Sequence, residues 1–94
     1  MPSLPPLAVA TNADDAPLPT VAFCVHARAE PGVMPRIIEL FAKRGLVPRQ
    51  WSSRASGARL TIDLQTTGLA RDLAAYIARS MRQIVGVVSV VTSG

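Results

Sequence analysis

The feature that most restricts the fold of this 94-residue chain is the run from Glu30 to Gly45, Glu-Pro-Gly-Val-Met-Pro-Arg-Ile-Ile-Glu-Leu-Phe-Ala-Lys-Arg-Gly, placed directly after an apolar, alternating stretch from Thr20 to Ala27. In that stretch Val21, Phe23 and Val25 alternate with Ala22, Cys24 and His26, the period-two pattern of a strand with its larger side chains on one face. Pro31-Gly32 then makes a tight turn, and Val33, Ile37, Leu40 and Phe41 recur at helical spacing from Gly32 to Arg44. Pro35 falls in the first turn, where a missing N–H removes nothing the helix uses. Lys43 and Arg44 suit the negative helix end, and Gly45 suits a left-handed cap. A strand, a Pro-Gly turn and a helix in that order leave amides free at the helix N-terminus, where a small anion can bind. Because Pro35 has no N–H, the expected donors are Gly32, Val33 and Met34, with Arg28 or Arg36 adding charge and Glu30 opposing it. Equally, Pro-Gly serves simply to turn the chain, with Glu30 favouring the helix dipole.

The rest of the chain follows the same logic. Met1 to Pro19 holds Pro2, Pro5, Pro6, Pro17 and Pro19 among small and acidic residues, and reads as a disordered or extended leader (1–19) before a single folded domain (20–94). Leu46 to Arg54 reads as a second strand, placed at an edge because Pro48 lacks a ladder donor, and Ala55-Ser56-Gly57 supplies a turn. Arg59 to Thr66 alternates Leu60, Ile62 and Leu64 with Thr61, Asp63 and Gln65, as a strand covered on one face does. Leu69 to Arg82 carries Ala70, Leu73, Ala74, Ile77 and Met81 on one helical stripe, with Arg71, Arg79 and Arg82 directed to water. Ile84 to Thr92 is rich in valine and reads as a strand covered on both faces.

The order strand, helix, strand, strand, helix, strand with right-handed crossovers specifies an α+β ferredoxin-like βαββαβ plait, a four-stranded antiparallel sheet with both helices on one face. The second sheet face would then expose Ala22, Cys24, Val88 and Val90, an apolar area that calls for a partner on so small a domain. From Thr20 onward ten cations stand against Glu30, Glu39, Asp63 and Asp72, a balance of +6. Such a surface admits nucleic acid, an acidic protein or an anionic metabolite. RNA-recognition plaits stack bases on aromatics of the two central strands, and here Arg59 to Thr66 has none while Phe23 faces the helices, which leaves an RNA-binding module a distant alternative. Cys24, the one cysteine, has no partner for an internal disulfide or a thiolate metal site and fits a reducing cytoplasm. No apolar run is long enough to span a bilayer. His26 and Asp63, on one face of adjacent strands, are the nearest approach to a catalytic pair, and a lone strand histidine is usually a plain polar residue, so no catalytic, metal or cofactor site is expected. Trp51, flanked by Arg49 and Arg54, is a candidate interface anchor, or else covers the open end of the core.

The run from Val25 to Gly45, with Glu30 to Gly45 as its core, resembles the first strand and helix of ACT domains, and most closely those of the small regulatory subunit of acetohydroxyacid (acetolactate) synthase, which read Glu-Pro-Gly-(Ala/Val)-Leu-x-Arg-(Ile/Val)-x-x-Leu-Phe-x-x-Arg-Gly. Met81-Arg82-Gln83-Ile84-Val85-Gly86-Val87 is similar to the family's Leu-x-Lys-Leu-Val-Asp-Val at the start of the last strand. The resemblance implies the short type of subunit: a non-catalytic homodimer that activates a thiamine-diphosphate-dependent large subunit in branched-chain amino-acid biosynthesis and relays an amino-acid effector. It also implies an effector site at Arg28, Ala29, Glu30, Gly32, Val33 and Met34. Ala29 stands where valine-responsive members carry asparagine, and an unpartnered ligand group there costs about 1–3 kcal/mol, roughly ten- to hundredfold in affinity. A free-standing ACT amino-acid sensor acting on another enzyme is the alternative.

Overall fold

The alternating stretches become strands and the periodic ones helices in a computed structural model that describes residues 19–94; the expected leader, apart from Pro19, lies outside the described residues. The elements are β1 (Thr20–Arg28), α1 (Val33–Ala42), β2 (Gln50–Ser56), β3 (Arg59–Thr67), α2 (Arg71–Arg82) and β4 (Val87–Ser93). They form one antiparallel sheet in the order β2-β3-β1-β4, the ferredoxin-like plait. Val21, Phe23, Val25 and Ala27 of β1 and Leu60, Ile62 and Leu64 of β3 are buried with Val33, Ile37 and Phe41 of α1 and Ala74, Ile77, Ala78 and Met81 of α2. Phe23 meets Phe41 edge to face, with ring centroids 5.9 Å apart and planes at 87°.

The ends of α1 follow from local chemistry. Gly45, at φ 68°, takes the left-handed position. The Gly45 amide donates to the Ala42 carbonyl and the Leu46 amide to the Phe41 carbonyl, a Schellman motif. Arg44 adds its guanidinium to the Leu40 carbonyl at 3.1 Å.

Four boundary expectations change. The second strand begins at Gln50, not Leu46, because Leu46 is consumed by the helix cap, and the ladder opens only where the Arg49 amide reaches the Gln65 carbonyl at 2.6 Å. Pro48 therefore lies before β2; the strand is at an edge as expected, but the proline is not within it. Leu69 is buried ahead of α2, and Ala70 caps that helix in extended conformation instead of joining its stripe. β4 is not covered on both faces, because Val88 and Val91 are exposed at 73% and 59% while Val90 is buried.

A bulge decides which valines face outward. Val87 pairs with Ala27 and Ser89 with His26, leaving Val88 unmatched between them. The residues beyond it are out of step with the expected parity. Val90, expected on the bare face, is opposite Val25 and only 5% exposed, while Val91 takes its place beside Cys24 at 59%. Val88 is exposed as expected. The α2 arginines are also not uniformly solvated: the Arg82 guanidinium donates to the Val90 carbonyl at 2.9 Å and closes part of the outer edge of β4. Arg44 and Arg79 stack on the Tyr76 ring, 4.8 and 5.8 Å from its centroid.

Candidate functional site

The chain between β1 and α1 is tied down by its own backbone. The Arg28 amide donates to the Gly86 carbonyl at 2.8 Å and the Ala29 amide to the Ala58 carbonyl at 2.9 Å, which fasten the loop to the α2–β4 and β2–β3 turns. Glu30 donates to the Arg28 carbonyl at 2.8 Å in a three-residue turn, and Val33 donates to the Glu30 carbonyl at 3.2 Å across Pro31-Gly32. The Val33 side chain is fully buried and anchors the helix start.

This geometry corrects the expectation of three free amides. The Val33 donor is spent in the turn, whereas the Gly32 and Met34 amides donate to no backbone carbonyl among the described residues. The Arg36 guanidinium folds over Gly32, and a Cβ there would displace it; the backbone at Gly32, φ −80°, is one that other residues also adopt. Arg28 and Glu30 form an exposed ion pair, Nε to Oε2 3.1 Å. A Cβ on Gly86, at φ +100°, would come within 3.0 Å of both Glu30 Oε1 and Val33 Cγ2, so the Glu30 carboxylate sits against that turn. The corner thus presents two amides and the Arg36 cation beside one carboxylate, a dipolar arrangement. Ala29 is exposed, and its one donor, the backbone amide, is already committed to Ala58.

The remaining candidates lie elsewhere. Trp51 is half-buried opposite Leu64 on the helix-facing side and packs against the core, as a cover for its open end does. Arg49 is exposed just before β2. Trp51 stands five ladder positions from the Ser56 and Arg59 pair, roughly 16 Å along the sheet, so these two residues and the corner form no common site. His26 and Asp63 share the bare face but do not oppose each other: Asp63 faces Cys24, and His26 faces Thr61. Cys24 Sγ lies 3.5 Å from His26 Nε2. Gly86 was legible in the sequence only as an interruption of a valine run, a usual mark of close backbone approach.

Burial raises the Cys24 thiol above its ordinary range, and a hydrogen bond to Asp63 and that carboxylate's charge push it the same way. The folded thiol keeps its proton to higher pH than the unfolded one. Its contribution to stability is therefore complete below the unfolded pKa and is lost as pH rises through the folded value. Iodoacetamide alkylation of the folded chain is expected to reach half its maximal rate at higher pH than for the denatured chain, and Asp63→Asn to move that midpoint down. An unchanged midpoint in Asp63→Asn would show that the carboxylate does not act on the thiol.

The order and pairing of its strands define the chain as a ferredoxin-like plait. A family model described as an ACT-like domain matches residues 14–93. The chain belongs to this ACT-like family, whose members are regulatory and non-catalytic. It is similar in fold to the ACT domain of GTP pyrophosphokinase from Chlorobium tepidum, with TM-score 0.71 and 15% identity over 83% of this chain and 100% of that one. It is also similar to the C-terminal domain of the MgtC protein from Mycobacterium tuberculosis, with TM-score 0.67 and 16% identity over 85% of this chain and 90% of that one. The regulatory subunit of aspartate kinase from Thermus thermophilus gives TM-score 0.61 and 13% identity over 82% of this chain and 52% of the subunit. No curated protein matches the chain. Among the described residues no helix is long and apolar enough to cross a membrane.

Proposed function

We propose that this ACT-like domain is the regulatory small subunit of an acetohydroxyacid (acetolactate) synthase, a homodimer that docks on the thiamine-diphosphate-dependent catalytic subunit in branched-chain amino-acid biosynthesis. The observation that carries the reading is the run Glu30 to Gly45, whose turn, buried stripe and glycine cap all fall where the family resemblance needs them. In this reading the effector is an α-amino acid at the β1–α1 corner. Its carboxylate meets the Gly32 and Met34 amides and Arg36, and its ammonium meets Glu30, which Arg28 holds in place. Val33 and Ala29 shape the corner without offering it a free side-chain donor. Exposed Val91 supplies apolar area for a partner subunit.

The test is co-purification with the cognate synthase large subunit, followed by activity assays with and without valine, leucine and isoleucine. A stable complex and a gain in activity are expected, with a weak amino-acid response that Gly32→Val removes by displacing Arg36. No complex and no gain would reject the synthase as partner. Saturable amino-acid binding without that complex would favour a free-standing sensor for a different enzyme, a reading supported by Ala29, which gives a branched-chain effector no side-chain donor.

A further inference from the structure

We propose that the bare face of the sheet holds a second binding site, a groove at the Arg28 end of β1 that takes a compact dianion bearing a phosphate or paired carboxylates. The groove encloses about 460 Å³ and is lined by His26, Arg28, Arg59, Thr61, Val88 and Ser89 together with small and aliphatic neighbours; no lining residue is acidic. That volume lies within the range of small-molecule sites, roughly 300–1,000 Å³.

Arg28 and Arg59 occupy directly opposed positions of the β1–β3 ladder. Like charges so placed destabilise a sheet, and nothing in the fold requires them there. Arg54, opposite Thr61 on the same face, adds a third guanidinium near this end. The one ion pair among the described residues, Arg28 with Glu30, offsets a single charge, and it does so from outside the groove. An oxyanion held between two guanidinium forks would neutralise the remainder, and this group grips phosphate or carboxylate bidentately.

The second observation is independent of charge. The β1–β4 register slips at His26 and Ala27, so the bulged Val88 lies on the wall of this groove, and bulges occur where a strand is re-aimed beside a site. Val88 supplies an apolar wall, and Thr61 and Ser89 bring hydroxyl donors. A nucleic-acid occupant is disfavoured: every Phe, Tyr and Trp among the described residues belongs to a helix or to a helix-facing strand position, so His26 alone offers a ring on this face and no platform for successive bases is formed. The groove shares only Arg28 with the β1–α1 corner, and its test stands whether or not an amino acid binds there.

Calorimetric titration of the full chain at low salt with inorganic phosphate and, separately, succinate tests the proposal. Saturable one-to-one binding of either supports it, and the tighter probe names the class. Arg59→Ala is expected to weaken binding about tenfold or more, and Arg59→Lys less, because the charge remains while the fork is lost. Glu30→Gln, which frees Arg28, is expected to tighten it roughly two- to fivefold. Arg71→Ala, on exposed α2 away from the groove, is expected to change nothing. Absence of saturable binding at millimolar probe, or a loss in Arg71→Ala equal to that in Arg59→Ala, would overturn the proposal.

Discussion

Phe41→Ala is expected to remove most of the stability of this domain. The ring is fully buried and meets the nearly buried Phe23 edge to face, so it joins α1 to the centre of the sheet. Removing a buried phenylalanine costs about 3–5 kcal/mol through lost transfer energy and the cavity left behind. A domain of this size has a total stability on the order of 5 kcal/mol, so nearly all of it is lost. Urea unfolding followed by circular dichroism measures the effect, with Val47→Ala as the control. Val47 is 82% exposed, and its truncation should fall within about 0.5 kcal/mol of the parent. A cooperative Phe41→Ala transition close to the parent midpoint would mean that the two layers do not depend on this contact.

Gly86→Ala is expected to cost about 2–4 kcal/mol, against about 1 kcal/mol for Gly57→Ala. Both glycines have positive φ, +100° and +60°, which a side chain rarely adopts. They differ in surroundings. An added Cβ at Gly57 meets nothing within 4 Å, whereas at Gly86 it presses on Glu30 Oε1 and Val33 Cγ2 at 3.0 Å. Val33 cannot give way, because it is fully buried at the start of α1. The excess over Gly57→Ala therefore measures packing of the α2–β4 turn against the β1–α1 corner, and the same substitution should push Glu30 from its place beside Arg28. Equal costs at the two positions would show that this packing contributes nothing. Thermal unfolding of the two variants side by side gives the comparison.

The class of fold and the run of α1 were readable because they depend on neighbours in the chain. Alternation in β1 and β3 buries one face whatever the partner strand is, and the Pro31-Gly32 turn and Gly45 cap act within a few residues. The expectation failed where a local signal met a competing use of the same residue. Leu46 has the character of a strand residue, yet its amide closes the helix cap. Val33 was counted as a free donor at the helix mouth, yet the turn that creates the mouth takes that donor for Glu30.

Residue order along the chain was thus enough for the plait, for the inward side of β1, and for a helix that opens on a glycine and closes on one, since hydrophobic period and backbone restriction act over short distances. Which valines of β4 look outward, that Arg28 and Arg59 confront each other, and that Gly86 backs the β1–α1 corner came only with folding. Each depends on the register between segments far apart in sequence. One bulged residue at Val88 was sufficient to shift that register, and no local pattern in a uniform run of valines marks where such a bulge will fall.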